Sequence, residues 1–227
     1  MNIVRDRSRA RKKDAVDHKL RDQTPIVSNA ARLLRDAKLL ADNERFASAF
    51  ALAVLALEEI GKVVLAFWDT SKQTAKSPNR LSSHIKKQTA VSSLLLAQYT
   101  TSELGNTINT EPMTAELIEH VARAMSESEA GRFNRLVSLG AVDKTKQIGF
   151  YHDDWLDSDV HADQFEASDV TQLFEKCRVA IAALGDSKTM RVGKAIYDIG
   201  RLGACDAPAA RHGADGPRPR SPGGGIP

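Results

Sequence analysis

Glu58, Glu59 and Lys62 stand where an almost wholly apolar helix runs out, in the stretch Ala53-Val54-Leu55-Ala56-Leu57-Glu58-Glu59-Ile60-Gly61-Lys62. From Phe46 to Leu57 only Ser48 is polar, and a helix apolar on every side belongs inside a core. The two carboxylates therefore begin at the core edge, where an unpaired one costs several kcal/mol or takes up a proton. Lys62 follows Glu58 by four residues, the helical spacing and order that favour an ion pair, so Lys62 is the predicted neutraliser of Glu58. Gly61 costs about 1 kcal/mol relative to alanine in a helix interior, which predicts that another element packs closely against the backbone there. Two readings stand: an ion pair that merely ends a core helix, or charges kept at the core edge for chemistry.

The elements that must position these groups read as helices throughout. Thr24 and Pro25 suit an N-cap and first helical residue, and Leu33, Ala37 and Leu40 then repeat at helical spacing. Asp42 or Asn43 ends this helix and caps the next, expected over about residues 44–70. Residues 71–78 are polar and end in proline, a loop, and a third helix is expected over about 79–104 through Leu81, Ile85 and Leu94 to Leu96. Thr114 caps a fourth through Leu117, Val121 and Met125, continuing to Leu139 either unbroken or bent near Gly131. Residues 143–164 are too polar and irregular to be helical throughout. Ser168 and Asp169 open a last long helix containing Val170, Leu173 and Leu184, and a short one follows over about 189–200. No alternating strand pattern and no long-period repeat is present, which leaves an all-α bundle.

The chain has 227 residues, 42% hydrophobic and 27% charged, the balance of a globular domain with tails. Residues 1–24 hold eight Lys and Arg against four Asp, and residues 204–227 three Arg against two Asp, so the middle carries −2 of the total +3. Nucleic acid would therefore meet a local patch or the N-terminal arm, not a broadly basic fold. The expected organisation is a basic flexible arm over 1–24, a helical domain over 25–203 and a disordered tail over 204–227, which holds five of the eight prolines. Cys177 and Cys205, the two cysteines, form neither a disulfide framework nor a metal spacing, which points to a reducing cytoplasm. The longest apolar run, about 12 residues, is short of the roughly 20 that span a bilayer, and no secretory signal is apparent.

Three further segments accompany the Glu-Glu-x-Gly-Lys end. Upstream lies Asn29-Ala30-x-x-Leu33-x-x-Asp36-Ala37-x-x-Leu40; downstream come His84-Ile85-Lys86-Lys87 and Gly149-Phe150-Tyr151-His152-Asp153. In that order, over about residues 27–184, the chain resembles the AbiV family of phage abortive-infection proteins, a branch of the HEPN superfamily. The helix ending in Glu-Glu-x-Gly-Lys carries the resemblance most specifically. Asn29, Asp36, Glu59, Gly61, Tyr151 and Asp153 belong to the matched motifs as structural positions.

The resemblance implies a HEPN-like bundle of about five main helices, often a homodimer, in which a polar cluster between core helices handles RNA without metal or cofactor. Many HEPN proteins are ribonucleases marked by an Arg and a His with four to six residues between them. Here the signature is poor: Arg11 and His18 lie in the arm, Arg80 and His84 are one residue too close, and Lys146 stands where Arg is expected before His152. Metal-free cleavage of RNA needs an acid or base and a cation at the phosphate. His84, Glu58 and Lys62 can fill these roles if the second and third helices are neighbours, with Lys86, Lys87 and Lys146 as phosphate contacts. Against this stands a His84 that pairs with a helix-two carboxylate only to satisfy it. The resulting expectation is an abortive-infection protein triggered by a phage or host factor, acting by RNA cleavage or as a non-catalytic module that binds RNA or protein. A di-metal carboxylate bundle needs Glu-x-x-His pairs, and the sequence has none.

Overall fold

The computed structural model describes residues 24–68, 83–103, 105, 114–150 and 164–205. Eight helices form among them: α1 (Thr24–Asp42), α2 (Phe46–Trp68), α3 (His84–Ser102), α4 (Ala115–Glu127), α5 (Glu129–Ser138), α6 (Ala141–Phe150), α7 (Ala167–Ala183) and α8 (Ser187–Cys205). The described residues contain no strand, so the all-α bundle is the architecture, with more and shorter helices than the five expected.

The apolar run from Phe46 makes α2 the central helix, packed by α1, α3, α6 and α7. Its Val54, Leu57, Ile60, Val63 and Val64 are almost wholly buried. Burying such a side chain contributes about 1.5–3 kcal/mol, and five on one helix make α2 the axis of the core. Across it, α3 supplies Val91 and Leu94 and α7 supplies Leu173, Cys177 and Ala180. Gly61 does meet close packing: a β-carbon there would overlap the carbonyl oxygen of Lys87. That contact sets how near α3 lies to α2, and hence where the first turn of α3 falls.

Several helix ends follow local chemistry. Thr114 caps α4, accepting from the Leu117 N–H at 3.2 Å. The pattern beyond it is broken at Ser128, whose hydroxyl accepts from Gly131 N at 2.9 Å and starts α5. Gly131 itself packs against the last carbonyls of α4, where no β-carbon fits. Gly140, with φ of 72°, takes the left-handed conformation that glycine adopts without steric cost, and turns the chain into α6. Glu166, rather than Ser168, caps α7, in a reciprocal pair with Asp169.

One expectation is narrowed and one corrected. Of the stretch expected not to be helical throughout, the part from Asp143 to Phe150 is helical, with Lys146 turned into the interior and Lys144 and Gln147 exposed. The short helix near residue 189 is the 19-residue α8, packed on α3. The Trp68 indole donates to the Met190 carbonyl at 2.8 Å and its ring lies 5.3 Å from that of Tyr197, which ties α8 to the core. The arm, Arg80, Tyr151, His152, Asp153 and residues 206–227 lie outside the described residues.

Candidate functional site

The Glu58 carboxylate, 2% exposed, is the hub of a polar cluster built by α2, α3 and α6. One oxygen, Oε2, meets His84 Nδ1 at 2.5 Å and Lys87 Nζ at 3.5 Å. The other, Oε1, accepts from Gln88 Nε2 at 3.0 Å and from Lys146 Nζ at 2.9 Å. His84, Lys87 and Gln88 share one face of the first turn of α3, since residues three and four apart are helical neighbours. Lys146 reaches in from α6, where its ammonium also donates to Asp143 Oδ1 at 2.6 Å.

Burial alone would raise the pKa of Glu58, but hydrogen bonds from Lys146, His84 and Gln88 outweigh it and hold the carboxyl below the ordinary value of 4.5. Burial would lower the pKa of Lys146, yet Asp143 and Glu58 outweigh it and keep the ammonium above the ordinary 10.5. Both groups are therefore charged at neutral pH.

An ionised carboxylate only accepts, so the tautomer that suits the 2.5 Å contact with Glu58 is the one with its proton at Nδ1. The Lys146 ammonium lies 3.3 Å from the same nitrogen. The side chain is 51% exposed, and in the neutral tautomer that carries its proton at Nδ1 the free base position is Nε2. A buried carboxylate aligning a half-exposed imidazole is an arrangement for proton transfer at Nε2.

Glu58, His84 and Asp143 each offer a ligand atom within 4.8 Å of one another, close enough to share a cation. The Lys146 ammonium already bonds two of them, so a metal ion there would have to displace it.

The structure brings Glu58, His84, Lys87 and Lys146 together and corrects the pairing of Lys62. That ammonium meets Glu59 Oε1 at 2.5 Å, one helical turn from the hub, because Glu58 turns inward to α3 while Glu59 and Lys62 share the more open face. Lys87 and Lys146, expected at a phosphate, are buried against Glu58. Lys86 is exposed. Asn29 and Asp36 lie on α1, joined through Arg32. Gln88 and Asp143 were not anticipated, although both sit at helical spacing from residues that were: Gln88 four after His84, Asp143 three before Lys146. The Gln88 carbonyl, with no hydrogen-bond partner, is the one unsatisfied buried side-chain atom among the described residues.

The family model HEPN_AbiV, described as AbiV, matches residues 20–169, well over half of the chain and all three helices that build the cluster. The chain belongs to the AbiV family. It is thereby a member of the HEPN superfamily, with the HEPN-type abortive-infection defence role that membership carries. No curated protein and no solved structure matches the chain. No helix among the described residues is long and apolar enough to cross a membrane.

Proposed function

We propose that this AbiV protein blocks gene expression on infection by metal-independent RNA cleavage centred on His84. The observation that carries the reading is the half-exposed imidazole held at Nδ1 by the buried Glu58 carboxylate. In this step, Nε2 takes the proton of a ribose 2′-hydroxyl and the 2′-oxygen bonds to phosphorus. The bond from phosphorus to the 5′-oxygen breaks, and water protonates the leaving oxygen. Glu58 stabilises the imidazolium that forms. Lys146, committed to Glu58 and Asp143, is a positioning residue that keeps Glu58 ionised. The exposed Lys86 draws the phosphate backbone. RNA is the partner, a phage-encoded or host factor the trigger, and a homodimer the assembly.

A second reading has its own support. Burial of Lys87 and Lys146 on Glu58 removes two cations from reach of a phosphate in the transition state, which favours a module that binds RNA or a protein without cutting it. Sequencing RNA ends in cells before and after induction separates the two. Cleavage produces new ends with the wild type and none with His84→Ala; binding alone produces none with either.

A further inference from the structure

Beside the polar cluster along α6 lies an open cavity of about 810 Å³ lined by α5, α6, α7 and Phe50 of α2. That volume falls within the roughly 300–1,000 Å³ of small-molecule sites. Three phenylalanines line it, Phe50, Phe133 and Phe165, two of them tilted against each other with centroids 5.3 Å apart.

The charges around these rings are almost all committed. Lys176 pairs with Glu129 at 2.5 Å and lies 5.4 Å over the Phe133 ring. The Asp169 carboxylate accepts from the Glu166 backbone at 3.0 Å. Arg132, exposed at the cavity wall, is different: its guanidinium has no partner among the described residues. Aromatic walls with one uncommitted guanidinium are complementary to a planar ring that carries an anion, since Arg binds phosphate and carboxylate through a planar fork of donors and rings stack on rings.

The same helix faces both sites. Val142 and Thr145 line the cavity, while their sequence neighbours Asp143 and Lys146 enter the cluster. A ligand pressing on the first pair must bear on the second, because a ten-residue helix in a close-packed interior moves as a unit.

We propose that this cavity binds an aromatic anion of mononucleotide size and that its occupancy shifts the Glu58–His84 cluster through α6. The proposal does not depend on RNA cleavage, since binding is read directly. A free nucleotide and a nucleotide within an RNA strand share the required chemistry.

The test titrates the full chain with AMP, GMP, CMP and UMP and, separately, with a single-stranded hexanucleotide RNA, by calorimetry. In parallel, the His84 ring resonances are followed by NMR, assigned through His84→Ala. Binding tighter than about 1 mM is expected. Arg132→Gln should weaken it about tenfold or more, the loss of a charge-assisted contact. Leu136→Trp, at a 49% exposed position on the cavity wall, should block it while the fold is kept. Binding of free nucleotides supports a small effector, and binding of the strand alone supports a base subsite. No binding by any probe, or binding indifferent to both substitutions, overturns the proposal. A His84 ring unmoved at saturation overturns its coupling to the cluster.

Discussion

Lys146→Met tests the cluster at its most loaded point. Methionine keeps most of the aliphatic length and removes the ammonium, leaving Glu58 buried with His84, Gln88 and the more distant Lys87, and Asp143 with Gln147 alone among the described residues. Two unit charges 2.9 Å apart attract by about 6 kcal/mol at an effective dielectric of about 20, but much of that offsets the cost of taking both out of water. Breaking one side of such a pair typically costs about 3–5 kcal/mol. Lys87 Nζ at 3.5 Å still neutralises part of the orphaned charge, so the lower end is expected, about 3 kcal/mol. In a domain of this size that lowers the melting temperature by about 6–12 °C.

Urea denaturation of Lys146→Met, Glu58→Gln and the double variant closes a cycle. If the pair acts as described, the double variant is more stable than the sum of the two losses predicts, by about 1 kcal/mol or more. Additivity within about 0.5 kcal/mol, or a Lys146→Met loss under about 1 kcal/mol, would refute the account.

The pH dependence has a definite sign on each side. Glu58 titrates lower in the folded chain than its ordinary 4.5, so its contribution is complete above that value and is lost as pH falls through the folded one. Lys146 titrates higher than its ordinary 10.5, so its contribution is complete below that value and is lost as pH rises through the folded one. The pair thus stabilises fully between about pH 5 and 10. The deficit of Lys146→Met against the wild type should shrink in acid, where Glu58 is protonated in both.

His84→Ala should cost about 1.5–3 kcal/mol, the usual contribution of a hydrogen bond to a charged group, while abolishing phage protection; full protection by the folded variant would remove function from this cluster. Gly61→Ala should destabilise by about 1–3 kcal/mol, as overpacking does, because its β-carbon meets the Lys87 backbone, and a melting temperature equal to the wild type would contradict that contact. Cys177, fully buried with its thiol pushed up to about 12, should resist iodoacetamide at pH 8 in the folded chain, as mass spectrometry of the modified peptides would report. Light scattering at micromolar concentration should give the mass of a homodimer, and a monomer alone would end that expectation.

Why the cluster was half legible follows from what each residue's neighbours reveal. A carboxylate at the end of Phe46–Leu57 had to lie at the core edge, and Glu58 does. Its partner was misassigned because Lys62 is at helical spacing from both carboxylates, four after Glu58 and three after Glu59, and only the packing of α2 decides which one it meets. Gly61 held the missing signal. A glycine kept for close approach marks the face turned to a neighbouring helix, and Glu58, three residues before it, shares that face with Val54 and Leu57; Glu59 does not. His84 was readable as a histidine beside this helix end once α2 and α3 were taken as neighbours.

Lys146 was harder for a reason that hydrophobic pattern cannot reach. In α6 only a few side chains, Val142 and Ile148 among them, are apolar and buried, and Asp143, Lys144, Lys146 and Gln147 made the segment read as irregular. Pattern reading equates polar with solvent-facing, whereas here Lys146 is 5% exposed and its polarity is spent inside on an anion from another helix. A lysine three residues after an aspartate, opposite a core-edge glutamate with no local partner, is the form such a missing cation takes. Since Lys62 satisfies Glu59, the charge of Glu58 had to be met from elsewhere in the chain, and that requirement is what ties α6, and through it the phenylalanine-lined cavity, to the histidine on α3.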